Sequence, residues 1–77
     1  MELRVRAVMS AVLGIDPGAI TSADSTTTIA EWDSVAHLQL MLALEDEFAL
    51  QLDAGEFASL SSVALIEARL RESQPNG

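Results

Sequence analysis

An all-α fold is predicted, with three main helices, one short helix and a long first loop, and three observations predict it. The run from Trp32 to Phe48 holds no Gly or Pro and is rich in Leu, Ala, Met and Glu, all good helix formers. Apolar residues recur at helical spacing in two further stretches, near each end of the chain. Nowhere do polar and apolar side chains alternate as a half-buried strand requires.

Taken in order, the first element is an amphipathic helix from about Glu2 to Leu13. Val5, Val8, Met9 and Val12 fall at i, i+3, i+4 and i+7, and Gly14 supplies a left-handed stop. Arg4 and Arg6 ahead of the run Ala7–Ile15 resemble a secretory leader only superficially, because Glu2, Ser10 and Asp16 interrupt it. No run approaches the length of a membrane span.

The stretch from Gly14 to Asp33 is a long connection for so small a domain. Asp16-Pro17-Gly18 is turn chemistry, and Pro17 is placed to open a single helical turn through Ile20. Thr21–Thr28 is polar and helix-poor. Ile15, Ile20, Ile29 and Trp32 are spaced to pin this loop onto the helices, so it is expected to be ordered.

The central helix follows, with Ser34 just ahead of the apolar run and expected to cap it. It carries two apolar stripes. Leu40, Met41, Leu44 and Phe48 form one; Val35, Leu38 and Leu42, continued by Glu45, form the other. A helix apolar on two sides is either buried centrally or keeps one stripe for a partner. After a connection over Ala49–Asp53, Ala54–Ser59 reads as a short helical turn carrying Phe57. Ser61 or Ser62 then caps a last helix to about Arg71, with Val63, Ile66 and Leu70 on one face. Arg69 and Arg71 lie in its final turn, where the helix dipole favours cations.

One domain is expected over residues 1–72, followed by a flexible tail, Ser73–Gly77. Twelve acids against four Arg and no Lys give a net charge of −8. Such a chain is repelled by nucleic acid and anionic membranes and suits partners with basic surfaces. The absence of Cys removes disulfides and thiolate metal sites and fits a reducing, cytoplasmic setting. With His37 the only imidazole, a histidine zinc site is also excluded. A monomer is expected.

Two patterns, one catalytic and one for a divalent ion, invite attention and are set aside. Asp33, Ser34 and His37 lie in one helical turn, with the imidazole not placed between hydroxyl and carboxylate as a hydrolytic triad needs; His37 reads as a partly buried helix residue. Glu45-Asp46-Glu47 with Asp53 and Glu56 lacks the spacing of a calcium loop and reads as a solvated acidic face. No catalytic or metal-ligating residue is assigned.

Asp33-Ser34-Val35, followed by Leu40-Met41-Leu42-Ala43-Leu44-Glu45-Asp46-Glu47-Phe48 and by Leu60-Ser61-Ser62-Val63, closely resembles the acyl carrier protein family from Val5 to Leu70. The resemblance implies an acyl-carrier-like four-helix bundle and a 4′-phosphopantetheine arm, taken from coenzyme A and attached to Ser34, with Asp33 as the flanking motif residue. It also implies a free-standing carrier that shuttles acyl thioesters between enzymes of a fatty-acid, polyketide or other specialised-metabolite pathway. The carrier is a substrate for enzymes rather than an enzyme. Its partners would be a phosphopantetheinyl transferase and acyl-loading and acyl-processing enzymes with basic and apolar docking surfaces. Val35, Leu38, Gln39, Leu42, Glu45 and Asp46 are the expected contact residues. An aminoacyl or peptidyl carrier of nonribosomal peptide synthesis is the alternative within that class. An unmodified helical interaction module is the alternative outside it. Two departures stand out: Ala36 and Gln39 occupy positions where the family often has acids, and Glu31-Trp32 replaces a common Gly-Ala pair. Trp before Asp-Ser looks like carriers of specialised metabolism.

Physics agrees with the placement. A phosphodiester at Ser34 would meet the free N–H groups and the positive dipole end of the helix.

Overall fold

Four helices are seen in a computed structural model that describes the backbone of residues 2–73 and the side chains of residues 3–72. Helix α1 spans Glu2–Leu13. Gly14 ends it in the left-handed region at φ 72°, donating its N–H to Ser10 O at 2.8 Å. Val5, Met9 and Leu13 form the fully buried edge of α1, whereas Val8 and Val12 pack beside it half-buried. The expected face is thus turned slightly, since Leu13 rather than Val12 completes the inner row.

Pro17–Ala19 forms one 3-10 turn, one residue shorter than expected, capped by the Asp16 carboxylate accepting from Gly18 N–H. Ile20, Ile29 and Trp32 are buried and Ile15 half-buried against the same core, so the apolar pins hold. Between them lies a polar knot. Asp24 Oδ2 accepts from Thr21 N–H at 2.9 Å, and its Oδ1 accepts from the Thr28 hydroxyl at 2.8 Å. The Thr21 N–H, then the Thr28 hydroxyl, hold the Asp24 carboxyl below the usual carboxylate range. The Asp24 carbonyl in turn accepts from Val63 N–H, and Thr26 N–H donates to Ser61 O. These backbone bonds moor the loop to the start of the last helix.

Helix α2, Ser34–Phe48, packs along α1. Arg4 of α1 spans its far end, donating to Glu47 O and Oε2 with its guanidinium 4.6 Å above the Phe48 ring. Ala49 closes α2 at φ 52°, a left-handed position that Gly usually fills, and its N–H bonds Glu45 O. Helix α3, Ala54–Ser59, starts with a reciprocal capping box between Asp53 and Glu56. Glu56 also accepts from Arg69 Nε; that bond first, then the Asp53 N–H, keeps its carboxyl below the ordinary range. Ser62 Oγ accepts from Leu65 N–H and opens α4, Val63–Ser73, which runs two residues beyond the expected end. Residues 74–77 of the expected tail lie outside the described residues. No helix among the described residues is long and apolar enough to cross a membrane.

The two stripes of α2 separate cleanly. Leu40 and Met41 are 0 % exposed and Leu44 1 %, whereas Val35 is 66 %, Leu38 51 % and Leu42 52 % exposed. Leu44→Ala is therefore expected to cost about 2–5 kcal/mol, through lost transfer energy and a cavity. Leu38→Ala should stay within about 0.5 kcal/mol of the parent. Urea denaturation of both variants checks this; a larger loss at Leu38 would mean that the faces are reversed.

Candidate functional site

The N-terminus of α2 is capped by Asp33, not by Ser34. Asp33 is extended at φ −90° and ψ −175°, and its Oδ1 accepts from Ala36 N–H at 2.8 Å. The expectation that Ser34 is the cap is corrected by one position. The reason is the backbone: Asp and Ser are comparable caps, but Asp33 is extended while Ser34 is already helical, so the Asp33 carboxylate reaches the Ala36 N–H. Ser34 becomes the first helical residue. Its side chain is exposed, and its hydroxyl makes no hydrogen bond among the described residues. The amides of the first turn have no intrahelical acceptors, and Asp33 takes only that of Ala36.

Ser34 sits at the edge of an open cleft of about 280 Å³. Three segments wall it: Thr26 and Trp32 from the loop, Asp33, Ser34 and His37 from the start of α2, and Ala58 and Ser61 around the end of α3. Trp32 is 2 % exposed and lies against His37, with ring centroids 5.9 Å apart. Its indole N–H donates to His37 Nδ1 at 2.9 Å, and His37 Nε2 lies 2.5 Å from Phe57 O. His37 is half-buried, as the sequence suggests, but its hydrogen bonds were not foreseen. No spacing rule points to them, because Trp32 lies before the helix and Phe57 lies twenty residues on.

Asp33, Ser34 and His37 are not wired as a proton relay. Both imidazole nitrogens face Trp32 and Phe57, and the Asp33 oxygen faces Ala36 N–H. The acids further along are likewise individually engaged. Glu45 is half-buried and its Oε2 accepts from Leu52 N–H at 2.7 Å; Glu47 pairs with Arg4, and Asp53 and Glu56 cap α3. Among the described residues no group of three His, Cys, Asp or Glu converges as a metal site.

The expected contact residues share one face of α2. Gln39 and Asp46 are exposed beside Val35, Leu38 and Leu42. Glu45 borders that face but gives one oxygen to the following turn. Of the cleft wall, Thr26 and Ala58 were not singled out by sequence, and Ser61 only as a candidate cap of the last helix; the loop and the end of α3 meet at Ser34 through tertiary packing.

An exposed, unbonded hydroxyl beside free helix amides can be esterified without breaking any contact of the fold. A phosphodiester there would take the position that those amides favour. The residues present therefore fit a phosphate-linked arm. Residues 3–70 match the family model described as "Phosphopantetheine attachment site".

The cap correction separates two neighbouring mutants. Asp33→Ala should lose about 0.5–2 kcal/mol, while Ser34→Ala should change stability by no more than about 0.5 kcal/mol. Chemical denaturation measures both; equal losses would mean that the Ser34 hydroxyl is tied into the cap.

Proposed function

The chain belongs to the phosphopantetheine attachment-site family, whose domains carry 4′-phosphopantetheine covalently, and on that premise we propose that Ser34 is the residue that bears it. The observation that carries this reading is the Ser34 hydroxyl itself: exposed, free of hydrogen bonds among the described residues and first in α2. The attached arm supplies a thiol, which this Cys-free chain lacks. Asp33 orders the helix start through Ala36 N–H, leaving the Ser34 hydroxyl for a phosphopantetheinyl transferase to reach. The first-turn amides would then face the phosphodiester.

The protein is a carrier, and the cargo we infer is an acyl thioester of fatty-acid, polyketide or related specialised metabolism, handled in the cytoplasm. The acyl-carrier pattern of Asp33–Val35 and Leu40–Phe48 supports it. Partner enzymes would dock on the exposed Val35, Leu38 and Leu42 stripe, with Gln39 and Asp46 at its border. Acidity gives long-range steering toward basic surfaces, while the apolar stripe supplies the contact area.

Incubation with coenzyme A and a broad-specificity transferase should add the mass of one phosphopantetheinyl group to the wild type and none to Ser34→Ala. Full modification of Ser34→Ala would overturn the assignment.

Charge pairing close to Ser34 is sparse, because Ala36 and Gln39 stand in the first turns of α2. Ala36 packs against the core, whereas Gln39 is exposed, so Gln39→Glu is the clean variant. With a basic enzyme from fatty-acid synthesis, Gln39→Glu should raise the loading rate by at most about fivefold at low salt, the scale of one exposed ion pair. The gain should shrink as salt rises. Equal rates at low salt would show that this position does not govern recognition.

A further inference from the structure

The geometry points to His37 as a protonation-sensitive positioning residue that keeps the cleft beside Ser34 in shape. It joins all three walls of that cleft. It lies in the first turn of α2, takes the indole N–H of Trp32 on Nδ1, and reaches Phe57 O of α3 through Nε2. The Phe57 carbonyl needs such a partner. The residue four positions on, Ser61, sends its N–H to Ser59 O instead, so Phe57 O is an orphan acceptor at the end of a short helix.

Only one form of the ring satisfies both neighbours. An indole N–H can only donate and a backbone carbonyl can only accept. The ring is therefore neutral, with its proton on Nε2. A second proton would sit on Nδ1, facing another donor. The Phe57 bond survives that change and the Trp32 bond does not. Trp32 directly precedes Asp33, the cap of α2, so its release loosens the segment that presents Ser34.

No charged side chain is bonded to the ring among the described residues. On the loop side the charged groups are Asp16, Asp24, Glu31 and Asp33, the last lining the same cleft; on α2 the first acid after the ring is Glu45; at α3 they are Asp53 and Glu56, and on α4 Glu67, Arg69, Arg71 and Glu72. Asp33 is bonded to Ala36 N–H, Glu45 to Leu52 N–H, Asp53 to Glu56 N–H and Glu56 to Arg69. Among the described residues none of these groups is ion-paired or hydrogen-bonded to the imidazole through its side chain. A half-buried contact made by the neutral ring is thus lost when the ring takes a second proton.

The rate part of the test rests on Ser34 being the attachment residue; the spectroscopic part does not. The chain holds one Trp and one His, so the indole N–H and imidazole signals of ¹⁵N-labelled wild type are each unique. Between about pH 8 and about pH 5, the Trp32 indole and Ser34 amide resonances should move with the same midpoint as the His37 ring. In parallel, the transferase-catalysed mass gain is compared between wild type and His37→Gln, whose amide can accept and donate but does not titrate. The wild-type to His37→Gln rate ratio cancels the pH dependence of the transferase itself. It should fall about fivefold across that range, the scale of one neutral hydrogen bond. A Trp32 or Ser34 resonance indifferent to His37 protonation overturns the proposal, and so does a constant rate ratio with both proteins folded. Should His37→Gln not fold, the shared or separate midpoints in wild type still decide. Modification of Ser34→Ala would overturn the attachment reading alone, and the spectra would then decide the role of His37 by themselves.

Discussion

The burial of the inner stripe of α2 is the contact on which the rest of the structure depends. Leu40, Met41 and Leu44 are shut from water between α1, the loop and α4, where Val5, Met9, Val63 and Ile66 are also fully buried. Each such side chain contributes about 1.5–3 kcal/mol relative to exposure. With that face fixed, the rotation of α2 about its axis is fixed too. Val35, Leu38 and Leu42 are then forced outward, and Ser34 is set at the open end of the helix.

The loop before α2 is the second constraint, because ordering a long connection costs backbone entropy at every residue. Ile20, Ile29 and Trp32 offset part of that cost by burial. Polar contacts supply direction. Ser22 Oγ donates to Glu67 Oε1 at 2.9 Å, and Arg6 lies 3.8 Å from the other Glu67 oxygen. Glu67 is only 3 % exposed, so removing Arg6 would leave a buried charge without its partner. This cluster ties the loop to α1 and α4 on one side, as Asp24 and Val63 N–H do on another. The site inherits its order from these distant contacts.

Capping and function are divided between adjacent residues. Asp33 satisfies the helix and Ser34 is left free, whereas a lone Ser would have its oxygen committed to a backbone amide. The same division of roles appears at His37, where one ring serves an indole donor and an orphan carbonyl together. The acids of α2 also divide: Asp46 remains exposed, while Glu45 and Glu47 each hold a neighbouring segment in place.

Helix positions, the two stripes of α2 and the Asp-Ser pair were legible in the sequence because they are local. Periodicity, Gly and Pro signals and capping chemistry all act within a few residues. The bounds of α1 and α3 and the end of α2 follow from them, as does the outward face that carries Val35, Leu38 and Leu42. Which of two adjacent polar residues caps α2 turned on the backbone angles at Asp33, and sequence placed it one residue late. The cleft wall of Thr26, Ala58 and Ser61, the Arg6–Glu67 pair and the partners of His37 were decided only by tertiary structure. The His37–Phe57 bond, the Arg6–Glu67 pair and the approach of Ala58 and Ser61 join segments far apart in the chain, and no local pattern specifies a contact whose two halves are brought together by packing.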